Sequence, residues 1–136
     1  NDGILENAPE AEVVARQNAS NTDLGMKVTE SVLLAKPEVN VICACDDFTA
    51  IGAYEAVSAM QKIPDNFYIG GCDATDEGKE KMKVENSVYR SSCNLFPYEA
   101  GEDLAEAMYK YLTEKQEDAV VQRRYEPVWQ RDVVEN

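Results

Sequence analysis

Three strand-like segments, the first two apolar and each closed by a cysteine and then by an acid or an amide, constrain this chain more than any other feature. Residues 39–45 (VNVICAC) run into Asp46, residues 67–72 (FYIGGC) into Asp73, and residues 87–93 (SVYRSSC) into Asn94. A near-continuous apolar run is the mark of a strand buried on both faces, as in a parallel sheet. Amphipathic stretches of helical spacing separate the runs. Residues 18–23 (NASNTD) are rich in capping side chains, so a helix is expected from near Thr22, with Leu24, Val28 and Val32 aligned and Pro37 as its stop. Asp46 and Asp47 open a second helix with a narrow stripe of Ala50, Ala53, Tyr54, Val57 and Met60. Thr75 opens a short charged helix through Met82, and Pro97 sits near the start of a helix that aligns Ala100, Leu104, Met108 and Leu112. Residues 12–17 are a further strand candidate. The tail, with Val120, Val121, residues 125–129, Val133 and Val134, reads as irregular β structure that Pro127 confines to an edge. Strands alternating with helices predict a three-layer α/β sandwich, with a mainly parallel sheet between helices.

Composition narrows the function. A chain of 136 residues supports one domain with a real core. Its 13 basic and 26 acidic residues give a formal charge of −13, which repels phosphate backbones and anionic lipid and argues against nucleic-acid or membrane-surface binding. The 44% apolar content argues against disorder, and no apolar run approaches the roughly 20 residues that span a bilayer. Histidine is absent, which removes Ser-His-Asp and Cys-His catalysis and the Cys/His zinc motifs. Cys43, Cys45, Cys72 and Cys93 lack the C-x-x-C spacing of zinc ribbons and redox folds. Gly70-Gly71 lies inside a strand and is no dinucleotide fingerprint. Two carboxylates could do acid–base work, but no nucleophile, metal motif or phosphate loop accompanies them. The chain reads as a binding protein that needs no cofactor or metal.

In a parallel α/β sheet, ligands bind outside the carboxyl ends of the strands. That rule selects Asp46, Asp73 and Asn94. Two carboxylates and one amide offer many acceptors, two donors and no cation, an inventory that suits a neutral ligand rich in hydroxyl groups. The competing reading is helix capping. It is strongest for Asp47, weaker for Asp46 and weaker again for Asn94.

Residues 46–53 (DDFTAIGA) resemble the N-D-x-x-A-x-G-A signature of the periplasmic sugar-binding proteins, and residues 70–74 (GGCDA) resemble the G-x-D-A strand end that follows it. The likeness to the ribose- and galactose/glucose-binding members runs over residues 15–129 and corresponds to the C-terminal lobe of that type I fold. It implies a sugar ligand held by Asp46, Asp73 and Asn94 in the solute-binding component of an ABC importer, periplasmic or extracellular, with a membrane permease as partner. The effector-binding domain of a lactose-repressor-type regulator shares this lobe and is the alternative; an export signal or a helix-turn-helix upstream would separate the two. The chain departs from the pattern in several places. Most relatives place Asn where Asp46 stands, which sets a second carboxylate beside Asp73 and should push one of the two pKa values up. Asn21 and Thr22 occupy the place of a stacking aromatic. The R-x-x-G segment and the strand before it find no counterpart, so residues 1–136 are expected to be one lobe without its first strand and without the N-terminal lobe. Open strand edges would then favour self-association, with strand exchange as one route.

The remaining candidates have plainer readings. Alternation turns Cys45, Cys72 and Cys93 away from their site neighbours, and the sulfurs are expected to pack under the helices rather than hold a metal. Residues 76–81 (DEGKEK) read as a solvated helix face. Phe48 and Phe96, just past strand ends, could cover an apolar sugar face or pack in the core.

Overall fold

The computed structural model describes residues 2–115 and 124–134. The elements, in chain order, are α1 (Asp2–Asn7), α2 (Thr22–Ala35), β1 (Val41–Cys43), α3 (Asp47–Ser58), β2 (Tyr68–Gly70), α4 (Asp76–Lys83), β3 (Tyr89–Asn94), α5 (Pro97–Glu114), β4 (Glu126–Trp129) and α6 (Gln130–Val134). The sheet runs β1-β2-β3-β4. β1, β2 and β3 are parallel, with Ile42 opposite Ile69 and an irregularity between Ile69 and Gly70, and β4 is antiparallel to β3. Pro127, which has no N–H to give, stands opposite Cys93 on this last strand, as the sequence predicts.

Local chemistry fixes the helix starts. Asn21 Oδ1 accepts from Leu24 N at 2.9 Å, and Thr75 Oγ1 accepts from Gly78 N at 3.1 Å, so both helices begin where their capping residues predict. The core is built around α3. Ala50, Ile51, Ala53 and Val57 are buried together with Ile69, Met82 and Tyr89. Instead of one narrow stripe, α3 buries most of its circumference, because α2, α4 and the sheet all pack on it. The α2 contact is set by glycines: a Cβ on Gly52 would lie 2.1 Å from the Thr22 carbonyl oxygen, and one on Gly25 would lie 2.6 Å from that of Thr49. The glycine and alanines of the 46–53 segment are therefore packing residues.

Several expectations are corrected. Residues 12–17 form no strand, because no described strand lies along the outer edge of β1 to complete their hydrogen bonds. β1 and β2 are three residues each, shorter than their apolar runs. Val133 and Val134 belong to α6, not to β structure. Gln130 draws that segment onto α4 by donating from Nε2 to the Met82 carbonyl at 2.8 Å, and Val133 packs against the core. Val120 and Val121 lie outside the described residues. The Ala100–Leu104–Met108–Leu112 stripe of α5 aligns as expected, yet α5 buries none of its residues and packs on no other described element; Leu112 is 70% exposed. The mainly parallel sheet is as expected. Its helical cover among the described residues lies on one face, over Ile42 and Ile69. The other face, with Val41, Tyr68 and Trp129, is open.

Candidate functional site

Because β1, β2 and β3 are parallel, their carboxyl ends share one edge. Beyond the formal strands the ladder continues there: Ala44 N donates to Gly70 O at 2.9 Å, Gly71 N to Ser91 O at 2.9 Å and Asp73 N to Cys93 O at 2.8 Å. These bonds bring Asp46, Asp73 and Asn94 to the same edge of the sheet.

Each of the three is held differently. Asp46 is the N-cap of α3: its Oδ1 accepts from Thr49 N at 2.7 Å and from Thr49 Oγ1. The cap is thus Asp46 and not Asp47, because an N-cap carboxylate must reach the N–H three residues on. Burial pulls the Asp46 pKa up, but the side-chain and backbone bonds from Thr49 outweigh it, and the net shift is down. Asp73 sits on a strained turn, with φ of 100° at Asp73 and 51° at Ala74. No described side chain donates to its carboxylate. Its pKa is raised, first by burial and then by the charges of Asp47 and, to a smaller extent, Asp46. The crowding of carboxylates expected from the sequence therefore falls on Asp73. Asn94 ends β3 and accepts from Phe96 N at 3.0 Å through Oδ1, an Asx-type turn that leaves its amide nitrogen as a donor.

The residue that builds this edge is one that sequence reasoning assigned to a cap. Asp47 is fully buried, and its carboxylate accepts four hydrogen bonds. Oδ2 takes Thr75 N at 2.7 Å and Thr75 Oγ1 at 2.9 Å, while Oδ1 takes Tyr89 Oη and Ser92 Oγ, both at 2.6 Å. Ser92 Oγ also accepts from Ala74 N at 3.0 Å. One buried carboxylate thus joins α3, β3 and the start of α4, and holds the strained turn that presents Asp73. Burial, then the Asp47 bond, push the Tyr89 phenol far up, so it remains a neutral donor. Glycine is required around it: a Cβ on Gly71 would lie 2.1 Å from Tyr89 Oη, and one on Gly78 would lie 2.6 Å from Asp47 Oδ2. The sequence does carry a signal. Asp47 shares the i+3 and i+4 face of α3 with the buried Ala50 and Ile51.

The cysteines are a second correction. They do not pack under the helices; Cys43 and Cys45 are exposed and Cys72 and Cys93 half-buried, all as free thiols. No group of three or more Cys, Asp or Glu that could hold a metal occurs among the described residues. Phe48, in the first turn of α3 beside Asp46, is 53% exposed and stands outside the core. Phe96 is half-buried at the N-cap of α5 in a left-handed conformation.

The fold that presents this edge is shared with known proteins. Residues 2–116 match the model of the periplasmic binding protein domain. The chain belongs to that family. No curated protein matches it at a significant level. Among solved structures, this periplasmic binding protein domain is similar to the 5-methylthioribose transporter solute binding protein of Thermotoga lettingae, at 24% identity and a TM-score of 0.83 over 99% of this chain and 43% of that one. It is also similar to an ABC transporter solute binding protein of Actinobacillus succinogenes with bound D-allose, at 22% identity and a TM-score of 0.82 over 98% of this chain and 47% of that one. A third is the Caulobacter myo-inositol binding protein, at 20% identity and a TM-score of 0.81 over 98% and 46%. The periplasmic binding protein domain described here spans less than half the length of these solved proteins. The shared fold is one lobe.

Proposed function

We propose that this periplasmic binding protein domain is one lobe of a two-lobed, non-catalytic sugar receptor that serves an ABC importer in the periplasm or at the cell exterior. Asp46, Asp73 and Asn94 hold the sugar hydroxyls. The observation that carries the reading is the Asp73 turn: a charged acceptor to which no described side chain donates, fixed in a strained conformation by the buried Asp47 network. Strain of this kind persists where the surroundings over-determine it, and clusters at ligand clamps. The exposed Phe48 ring beside Asp46 adds an apolar surface for a sugar face. Relatives whose names record methylthioribose, allose and inositol support a polyhydroxylated ligand of pentose to hexose size. The lactose-repressor-type alternative finds no support among them. An outer edge of β1 with no described strand beside it, an α5 that packs on no other described element and the partial span of the solved proteins support the view that a second lobe and a further strand complete the binder.

The test is calorimetry on the intact two-lobed protein against a panel of pentoses, hexoses and inositols. Asp73→Ala should weaken the preferred sugar by about 2–3 kcal/mol, the range for hydrogen bonds to a charged group. Unchanged affinity in a folded Asp73→Ala protein would remove the reading.

A further inference from the structure

The sheet face turned away from α3 and α4 carries thiols that sugar binding does not use. Gly71 N–H bonds Ser91 O and Asp73 N–H bonds Cys93 O, so Cys72 lies between two bonds that lock β2 to β3 and stands opposite Cys93. Side-chain directions follow from the glycines. A Cβ on Gly71 would strike Tyr89 Oη and Asp47 Oδ1, on the α3 side, whereas a Cβ on Gly70 would meet Ser91 Oγ on the opposite side. Alternation sends Cys72 to the side of Gly70. On β3, Ser92 points to Asp47, so Cys93 points with Ser91 to the same open face. Neighbouring strands lie about 4.8 Å apart, inside the Cα window of roughly 4.4–6.8 Å that a disulfide requires.

We propose that Cys72 and Cys93 are a dithiol pair that closes to a disulfide by exchange with a small-molecule disulfide, tying together the two strand ends that carry Asp73 and Asn94. The thiolate of one cysteine attacks a sulfur of the oxidant, forming a mixed disulfide and releasing one thiolate. The second cysteine attacks the protein sulfur of that bond, forming the Cys72–Cys93 bond and releasing the other thiolate. The protein loses two protons and two electrons, which convert one small-molecule disulfide into two thiols. The Cys72 thiol is pushed up by burial and then by Cys93, so exchange through it should quicken as pH rises into the alkaline range. The pair does not depend on a sugar, and its readout is covalent.

The full chain is incubated with glutathione disulfide at graded ratios to glutathione, blocked with an alkylating agent, digested with trypsin and mapped by mass spectrometry. Lys79, Lys81, Lys83 and Arg90 separate the two cysteines, so their peptides stay joined only through sulfur. The expected result is a Cys72–Cys93 link that also forms in the Cys43→Ser/Cys45→Ser double variant. Cys93→Ser should instead accumulate glutathione on Cys72. Links to Cys43 or Cys45, links between chains, or mixed disulfides alone, in protein whose circular dichroism is unchanged, would overturn the proposal.

Discussion

A carboxylate at a helix start can hold the N–H three residues on, and of two adjacent aspartates only one has that reach. Asp46 takes it and Asp47 turns inward, so neighbouring acids have opposite energetics. Asp47→Ala would strand four donors, those of Thr75 N, Thr75 Oγ1, Tyr89 Oη and Ser92 Oγ, in the interior. Leaving a buried donor unsatisfied costs about 1–3 kcal/mol, a loss that urea denaturation should resolve. Asp46→Ala should cost only about 1 kcal/mol at pH 6, the worth of an N-cap. Its pKa is lowered in the folded state, so its contribution is present above the unfolded value of 3.8 and is lost as pH falls through the lower folded value. The Asp46→Ala deficit should therefore shrink in acid below about pH 3.8. Asp46→Asn keeps the cap and should stay close to the parent at pH 6. A deficit equal to that of Ala would show that the cap bond contributes little.

At the scale of elements, glycines separate helices that are packed from helices that are not. α2 crosses α3 where Gly52 leaves room for the Thr22 carbonyl, and an added methyl there meets backbone, which has nowhere to go. Gly52→Ala should destabilise the chain by roughly 1–3 kcal/mol, as overpacking does. Gly101, inside α5, has nothing within 4 Å of a built Cβ. There the same substitution only restricts the unfolded backbone and favours the helix, and should stabilise by about 0.5–1 kcal/mol. Thermal denaturation of the two variants should thus move in opposite directions. A loss at Gly101 would mean that α5 is packed against the rest of the chain.

For the whole molecule the open surfaces set the behaviour. The outer edge of β1 has no described neighbour, the face with Val41, Tyr68 and Trp129 carries no described helix, and α5 exposes Leu104, Met108 and Leu112. Unpaired edges and contiguous apolar surface promote association. The 136-residue chain should grow in apparent mass with concentration in light scattering. On the proposed function, a one-sided site would leave the sugar in water, where each hydrogen bond mostly replaces one to solvent. Its sugar affinity alone should be no better than about millimolar. A monodisperse monomer with micromolar affinity would contradict both expectations.

What the sequence determined by itself is local or periodic. Capping at Asn21 and Thr75, the proline limits, the strand–helix alternation from Thr22 to α5, the mainly parallel sheet and the shared edge of Asp46, Asp73 and Asn94 all follow from side-chain chemistry and hydrophobic patterning along the chain. The signature in residues 46–53 was legible for the same reason, although its glycine turned out to serve packing against α2. Only the tertiary structure decided what depends on partners distant in sequence. Residues 12–17 have the composition of a strand, but a strand exists only with a neighbour to bond. Val133 and Val134 became helical because Gln130 found the Met82 carbonyl. The role of Asp47 depended on Thr75, Tyr89 and Ser92, 28 to 45 residues away, whose convergence on one carboxylate arises from the crossing of α3 over the sheet.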